Sequence, residues 1–130
     1  MAKNTINLQQ DTDYNILLNK SMDLNAVLTC QYYTGNTAND IVGFDFSPYS
    51  GATLVVKQNY RSDVPILSFD TIDGSLELSA IESKFKIIKT AQELENIQIG
   101  QFEYSMYLRS TTQKRRAFLS GKFIIESKIV

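Results

Sequence analysis

The sequence predicts an all-β chain, a sandwich of antiparallel sheets with one short helix near residues 90–97. Three observations lead there. Between residues 102 and 108, Phe102, Tyr104, Met106 and Leu108 alternate with Glu103, Ser105 and Tyr107. Successive strand side chains point to opposite faces, so this period of two marks a half-buried strand. Short β-rich runs separated by turn formers recur along the chain, the spacing of a sandwich. Seven Tyr and seven Phe with no Trp add to this, because aromatics suit a pleated surface.

Residues 5–8 alternate as a first strand, and Gln9, Gln10, Asp11, Thr12 and Asp13 close it as a turn, their side chains bonding nearby backbone amides. Residues 14–18 give a second strand. Residues 24–33 give a third, in which Val27, Leu28, Cys30, Tyr32 and Tyr33 leave the register open. The stretch 34–51 is the longest irregular one and carries Gly35, Asn36, Asn39, Asp40, Gly43, Pro48 and Gly51. Within it Ile41, Val42, Phe44 and Phe46 read equally as a short strand or an apolar loop. A sandwich crossover and a binding loop are both open for this region.

Residues 52–58 and 64–69 are strands, the second starting or lying on an edge because Pro65 cannot donate a ladder hydrogen bond. Asp73-Gly74 is a turn between Ile72 and Leu76; Leu76 and Leu78 continue the β pattern, and residues 85–88 add another strand. The period then changes. Residues 89–97 predict about two helical turns, with Thr90 and Glu93 three positions apart as a capping box. Ala91, Leu94 and Ile97 form its apolar side, and so short a helix depends on packing. Gly100 turns the chain into a closing hairpin, with a strand over residues 117–125 in which Gly121 predicts a bulge or a close backbone approach. About eight strands and one helix predict a single domain, 1–130, an antiparallel immunoglobulin-like β-sandwich.

Chemistry is sparse. The chain has no His, which removes catalytic triads, imidazole bases and nearly all zinc sites. Cys30 is the one cysteine, so no intrachain disulfide is possible, and its apolar neighbours predict a buried thiol rather than a reactive one. No Gly-rich phosphate loop occurs. Asp11 and Asp13 with Asp40 or Asp45 lack EF-hand spacing, and turn chemistry is the simpler use. No carboxylate pair stands out for glycoside hydrolysis. Thirteen basic against fourteen acidic residues, net −1, give no long-range pull toward nucleic acid or membrane. Lys114-Arg115-Arg116, with Lys122 and Lys128, reads as a solvated hairpin tip, since a nucleic-acid binder shows a broader basic face. The first residues hold no apolar h-region, so the sequon at Asn19-Lys20-Ser21 carries no weight. No run approaches a membrane span.

Read end to end, the order of features resembles the small immunoglobulin-like domains of tailed-phage and prophage tail proteins, and is similar to the N-terminal domain of lactococcal-phage baseplate upper proteins. Gln9-Gln10-Asp11-Thr12 matches an "R-G-D-T"-like turn, with Gln9 where the motif has Arg. Asp45-Phe46-Ser47-Pro48-Tyr49-Ser50-Gly51 followed by residues 52–57 matches "D-L-T-G" and its strand, with extra residues before the glycine. Asp73-Gly74-Ser75-Leu76-Glu77-Leu78-Ser79 matches a shortened "G-x-I-x-L-x-L-S". The most specific match is "T-A-x-L-x-x-G-x-Y-x-Y-D-L", seen as Thr90-Ala91-Gln92-Glu93-Leu94 and then Gly100-Gln101-Phe102-Glu103-Tyr104-Ser105, with Ser105 for the usual Asp. Leu119-Ser120-Gly121 to Ile125 matches the closing "L-x-G-x-x-x-V" strand.

The resemblance implies a virion structural protein, assembled in the bacterial host cytoplasm. It would be a free-standing, non-enzymatic adaptor or decoration component with no cofactor and no metal. Its partners would be other virion proteins of the tail, baseplate, portal-proximal region or fibres, or further copies of itself, and neither nucleic acid nor membrane. Sheet edges and an apolar patch would make the contact. Ile6 and Leu8 in the first strand and Ile41, Phe44, Phe46 and Tyr49 in the irregular stretch are the expected docking residues. The alternative is a carbohydrate- or receptor-binding module using Tyr32, Tyr33, Tyr49 and Tyr60.

Overall fold

In the computed structural model residues 5–7, 14–33, 41–59, 61–110, 112 and 115–127 are described. The alternation read from the sequence becomes ladders: β1 (Thr5–Asn7), β2 (Ile16–Asn19), β3 (Leu24–Tyr33), β4 (Ile41–Gly43), β5 (Tyr49–Lys57), β6 (Pro65–Asp70), β7 (Leu76–Ser79) and β8 (Lys84–Lys89), then the helical turn α1 (Ala91–Leu94), then β9 (Gly100–Ser110) and β10 (Arg115–Glu126). Two five-stranded sheets result. One runs β1-β3-β8-β7, with β4 also on β3; the other runs β2-β10-β9-β5-β6. Taken as A-B-E-D against A′-G-F-C-C′, with β2 as A′, this is the strand order of an immunoglobulin-like domain. Pairing is antiparallel except at β1–β3 and β2–β10, which are parallel.

One face of every long strand is apolar, and those faces meet. Phe102, Tyr104, Met106 and Leu108 of β9 are buried with Ala52, Leu54 and Val56 of β5 and with Leu119, Phe123 and Ile125 of β10. Leu28, Leu76, Phe85 and Ile87 oppose them from the other sheet. Each such side chain contributes about 1.5–3 kcal/mol on leaving water. The Tyr104 phenol is deep inside and needs an acceptor, and it donates to the Tyr14 carbonyl just ahead of β2. Cys30 is buried too, and desolvation pushes its thiol up to about 12.

Along β3, β8 and β4 share one side in succession. Cys30 donates its N–H to the Ser83 carbonyl and accepts the Phe44 N–H on its own carbonyl, at 2.8 and 2.9 Å. Gly43 sits at this junction, where an added Cβ would lie 2.2 Å from Ser83 Oγ. The stretch 41–46 therefore holds both expected forms, a three-residue strand followed by an apolar loop.

Two details differ from expectation. The helix is one turn, not two. Its capping box is present, Thr90 Oγ1 accepting the Glu93 N–H and Glu93 Oε1 accepting the Thr90 N–H. Asp23 Oδ1 accepts the Ala91 N–H, while Lys20 Nζ donates to the carbonyls of Glu95 and Ile97. The β2–β3 connection thus reaches both ends, Asp23 at the first turn and Lys20 at the carbonyls of the C-cap Glu95 and of Ile97 just beyond it. The second difference is the bulge. Gly121 pairs in register with Tyr104, with φ 152°, and the irregularity lies between Ala117 and Leu119. Phe118 is the extra residue.

Pro65 opens β6 on the sheet edge, as its missing N–H predicts. Asp73-Gly74 forms the predicted turn, with Gly74 at φ 82° and Asp73 Oδ1 accepting the Ser75 N–H.

Candidate functional site

The bulge has a consequence at one end of the sandwich. An inserted residue re-aims a side chain, and Phe118 meets the loop between β4 and β5. Its ring lies 4.8 Å from Phe44 and 5.7 Å from Phe46, and Phe44 and Phe46 meet edge to face at 4.9 Å. Tyr49, the first residue of β5, stacks on Phe44 at 6.2 Å. An Asx turn shapes the loop: Asp45 Oδ1 accepts the Ser47 N–H, and the Phe46 carbonyl accepts the Tyr49 N–H. The bonds from Ser47 hold the Asp45 carboxyl below its usual range. Phe46 is 1 % exposed and anchors the cluster; Phe44, Tyr49 and Phe118 are half-buried and pack against the core.

Arg116 covers this floor. Its guanidinium lies 5.9 Å from the Phe44 ring centroid, and its Nη1 donates to the Tyr49 hydroxyl. Arg115, one residue earlier in the strand, emerges on the opposite face and lies 4.5 Å over Tyr107. Arg109, across the ladder from Arg115, is spent differently. Its guanidinium bridges Asp70, at 3.1 and 3.4 Å, and also reaches Thr53 and Thr71. Burial works against the Asp70 charge, but bonds from Arg109, the Ile72 N–H and Thr53 outweigh it and keep that carboxyl below its ordinary range. Arg109 is a tie between β9 and β6; Arg115 and Arg116 meet rings but no carboxylate among the described residues.

The structure sorts the predicted docking residues. Phe44, Phe46 and Tyr49 come together. Phe46 supports rather than presents, because its ring is enclosed. Ile6 is wholly buried beside Cys30, its strand laid against β3, so it belongs to the core and not to a contact. Ile41 is in β4 opposite Tyr33; Leu8 and Tyr60 lie outside the described residues, as do Asp11, Asp13 and Asp40. Tyr32 and Tyr33 fall in the last residues of β3. Arg115 and Arg116 are exposed, as a solvated tip would be, but they belong to β10 rather than to the turn and each lies over an aromatic ring, while Lys114 lies outside the described residues. The sequence reading put Tyr107 on the outer face of its strand and Phe118 in the closing strand, and marked neither as a site residue. Their one signal was the hairpin register, which sets Arg116 opposite Leu108 and Ala117 opposite Tyr107.

Among the described residues no group of three His, Cys, Asp or Glu could hold a metal ion, and every buried side-chain polar atom has a partner. Grooves lie beside β6 and α1, about 420 Å³, over β7 and β8, about 320 Å³, and over β5 and β9, about 290 Å³, the last lined by Lys57, Glu103, Tyr107 and Arg115. What this end of the molecule presents is a cluster of rings capped by a cation. No family model and no curated protein matches this chain.

Proposed function

We propose that this chain is a non-enzymatic adaptor of a tailed-phage particle, which holds a neighbouring tail, baseplate or fibre protein on the shelf formed by Phe44, Tyr49, Phe118 and Arg116. The observation that carries the reading is Arg116 spanning Phe44 and Tyr49 at the end of the sandwich. Tyr and Arg are the residue types concentrated where protein contacts draw most of their affinity. Rings already packed on one another lose little freedom when a partner arrives. The particle setting rests on the resemblance of the stretches at 90–105 and 119–125 to phage tail domains, which is an analogy of sequence order and fold.

The test is incorporation. Particles assembled with the wild-type protein are purified and the chain quantified by mass spectrometry, beside particles assembled with Phe44→Ala and Arg116→Glu. The expected result is a fixed stoichiometry for the wild type and loss of both variants from particles, each variant retaining its β circular dichroism. A folded variant retained at wild-type level removes the shelf from the contact. Absence of the wild-type chain from every particle, with glycan-array binding instead, replaces the adaptor by a carbohydrate-binding module.

A further inference from the structure

From the two arginines that meet no carboxylate among the described residues we infer what the docked segment looks like: an extended strand of another protein, carrying two consecutive acidic residues, added to β10 along Arg115 to Leu119, where no described strand pairs. This rests on the docking reading above and specifies its partner.

Three features converge on it. Consecutive strand residues point to opposite faces, so Arg115 and Arg116 stand on the two sides of one strand, each held against a ring. Neither has a carboxylate within ion-pair range among the described residues, although Glu103 lines the same groove as Arg115, whereas Arg109, in the same corner, is matched to Asp70. The outer edge of β10 is also used only in part. β2 pairs with Phe123 to Glu126, and Tyr14 and Asn15 reach Ser120 and Lys122. From Arg115 to Leu119 no strand among the described residues takes that edge.

A strand laid there would gain main-chain hydrogen bonds. Its residues directly across from Arg115 and Arg116 would be adjacent in sequence and would face the same two sides. Cross-strand neighbours stand close enough for ion pairing, so the complementary pattern is two acids in succession, one for each face. Acids two positions apart would both fall on one face and reach a single guanidinium. A second copy of this chain is the poorer occupant, since its sequence contains no two consecutive acidic residues.

The experiment uses the full chain and two six-residue peptides of equal composition, both rich in Val and Thr. One has adjacent glutamates and the other has glutamates two apart. Fluorescence anisotropy at low salt is expected to show the adjacent isomer binding roughly 3- to 5-fold more tightly, the effect of one additional cross-strand ion pair. The preference should vanish in Arg115→Glu with Arg116→Glu, and the doubly reversed protein should prefer the peptide with two adjacent lysines. Amide hydrogen exchange of Arg116 and Ala117 is expected to slow on binding. Equal affinity for the two glutamate isomers, or no binding of either, overturns the inference and leaves the arginines as guards against unwanted pairing on an edge. If the peptides fail while Phe44→Ala still loses incorporation, the acidic-strand partner falls and the docking reading stands. If Phe44→Ala is retained in particles, the docking reading falls on its own evidence.

Discussion

Replacing Phe46 by Ala separates support from contact within the shelf. The ring is 1 % exposed and touches two others, Phe44 at 4.9 Å and Phe118 at 5.7 Å. Truncation removes its transfer free energy and leaves a void beneath rings held by a strand on one side and a loop on the other. Buried Phe to Ala changes cost about 3–5 kcal/mol. For a chain of this size that amounts to roughly 10–20 °C in Tm. Phe44→Ala removes a half-buried ring, for which about half that loss is expected, and Arg116→Ala removes an exposed cation–π contact of about 0.5–1 kcal/mol. Urea unfolding followed by circular dichroism should therefore order the losses Phe46 first, Phe44 second, Arg116 last. Partner retention should rank differently, since Arg116→Ala is expected to lose docking while hardly changing stability. A Phe46→Ala protein within about 1 kcal/mol of wild type would refute the enclosed cluster. It would mean that the loop between β4 and β5 does not close on Phe118.

Two further outcomes follow from polar groups inside and beside the core. Tyr104→Phe strips the Tyr14 carbonyl of its buried donor and should cost about 1–3 kcal/mol, measurable by urea midpoint at unchanged slope. Asp70, Asp73 and Glu93 each have a carboxyl held below its ordinary range. For Asp70, burial opposes the charge but the Arg109, Ile72 and Thr53 bonds prevail; Ser75 does this for Asp73 and Thr90 for Glu93. A depressed folded value means that the unfolded chain binds more protons in that window. The stabilisation is present above the unfolded value, about pH 4 for these groups, and is lost as pH falls through the folded values. Urea midpoints taken from pH 6 downward should hold level and then decline below about pH 4, and Asp70→Asn should shallow the decline.

What could be read from the sequence was local. The alternation at residues 102–108 marks β9 because its inward and outward residues differ in kind, and Thr90 with Glu93 announces a helix start by chemistry confined to four residues. Both appear as read. The parallel pairing of β2 with β10 left no trace, since Ile16 and Phe123 meet across most of the chain and a parallel neighbour imposes no periodicity of its own. Ile6 shows the same limit from another side: alternation identified a strand, but burial depends on which sheet it joins. The helix is one turn although Ile97 extends the apolar spacing: Ile97 gives its N–H to the Leu94 carbonyl, and Lys20, distant in sequence, meets the carbonyls of Glu95 and Ile97 just past the helix end. Of the site, the aromatic loop was legible and its floor was not, because no residue type marks a bulge. Gly121 drew attention to itself, yet it pairs regularly.

That bulge makes a strong test possible with one residue. Before it, Arg115, Arg116 and Ala117 pair with Arg109, Leu108 and Tyr107; after it, Leu119 and Ser120 pair with Met106 and Ser105. Tyr107 and Met106 are consecutive, so deleting Phe118 joins Ala117 to Leu119 and leaves an unbroken antiparallel ladder. No core residue of β10 changes face, and the deletion should fold. Its cost is the ring contacts of Phe118 with Phe44 and Phe46, about 1–3 kcal/mol for a half-buried aromatic, offset in part by the repaired ladder. Arg116 keeps its partner Leu108, while the shelf loses the ring beneath it. The expected variant therefore has wild-type far-ultraviolet dichroism, a modestly lower Tm and no particle incorporation. If the deletion does not fold, the sandwich itself depends on the added twist of the bulge. If it folds and docks, Phe118 plays no part in the contact and the site lies elsewhere.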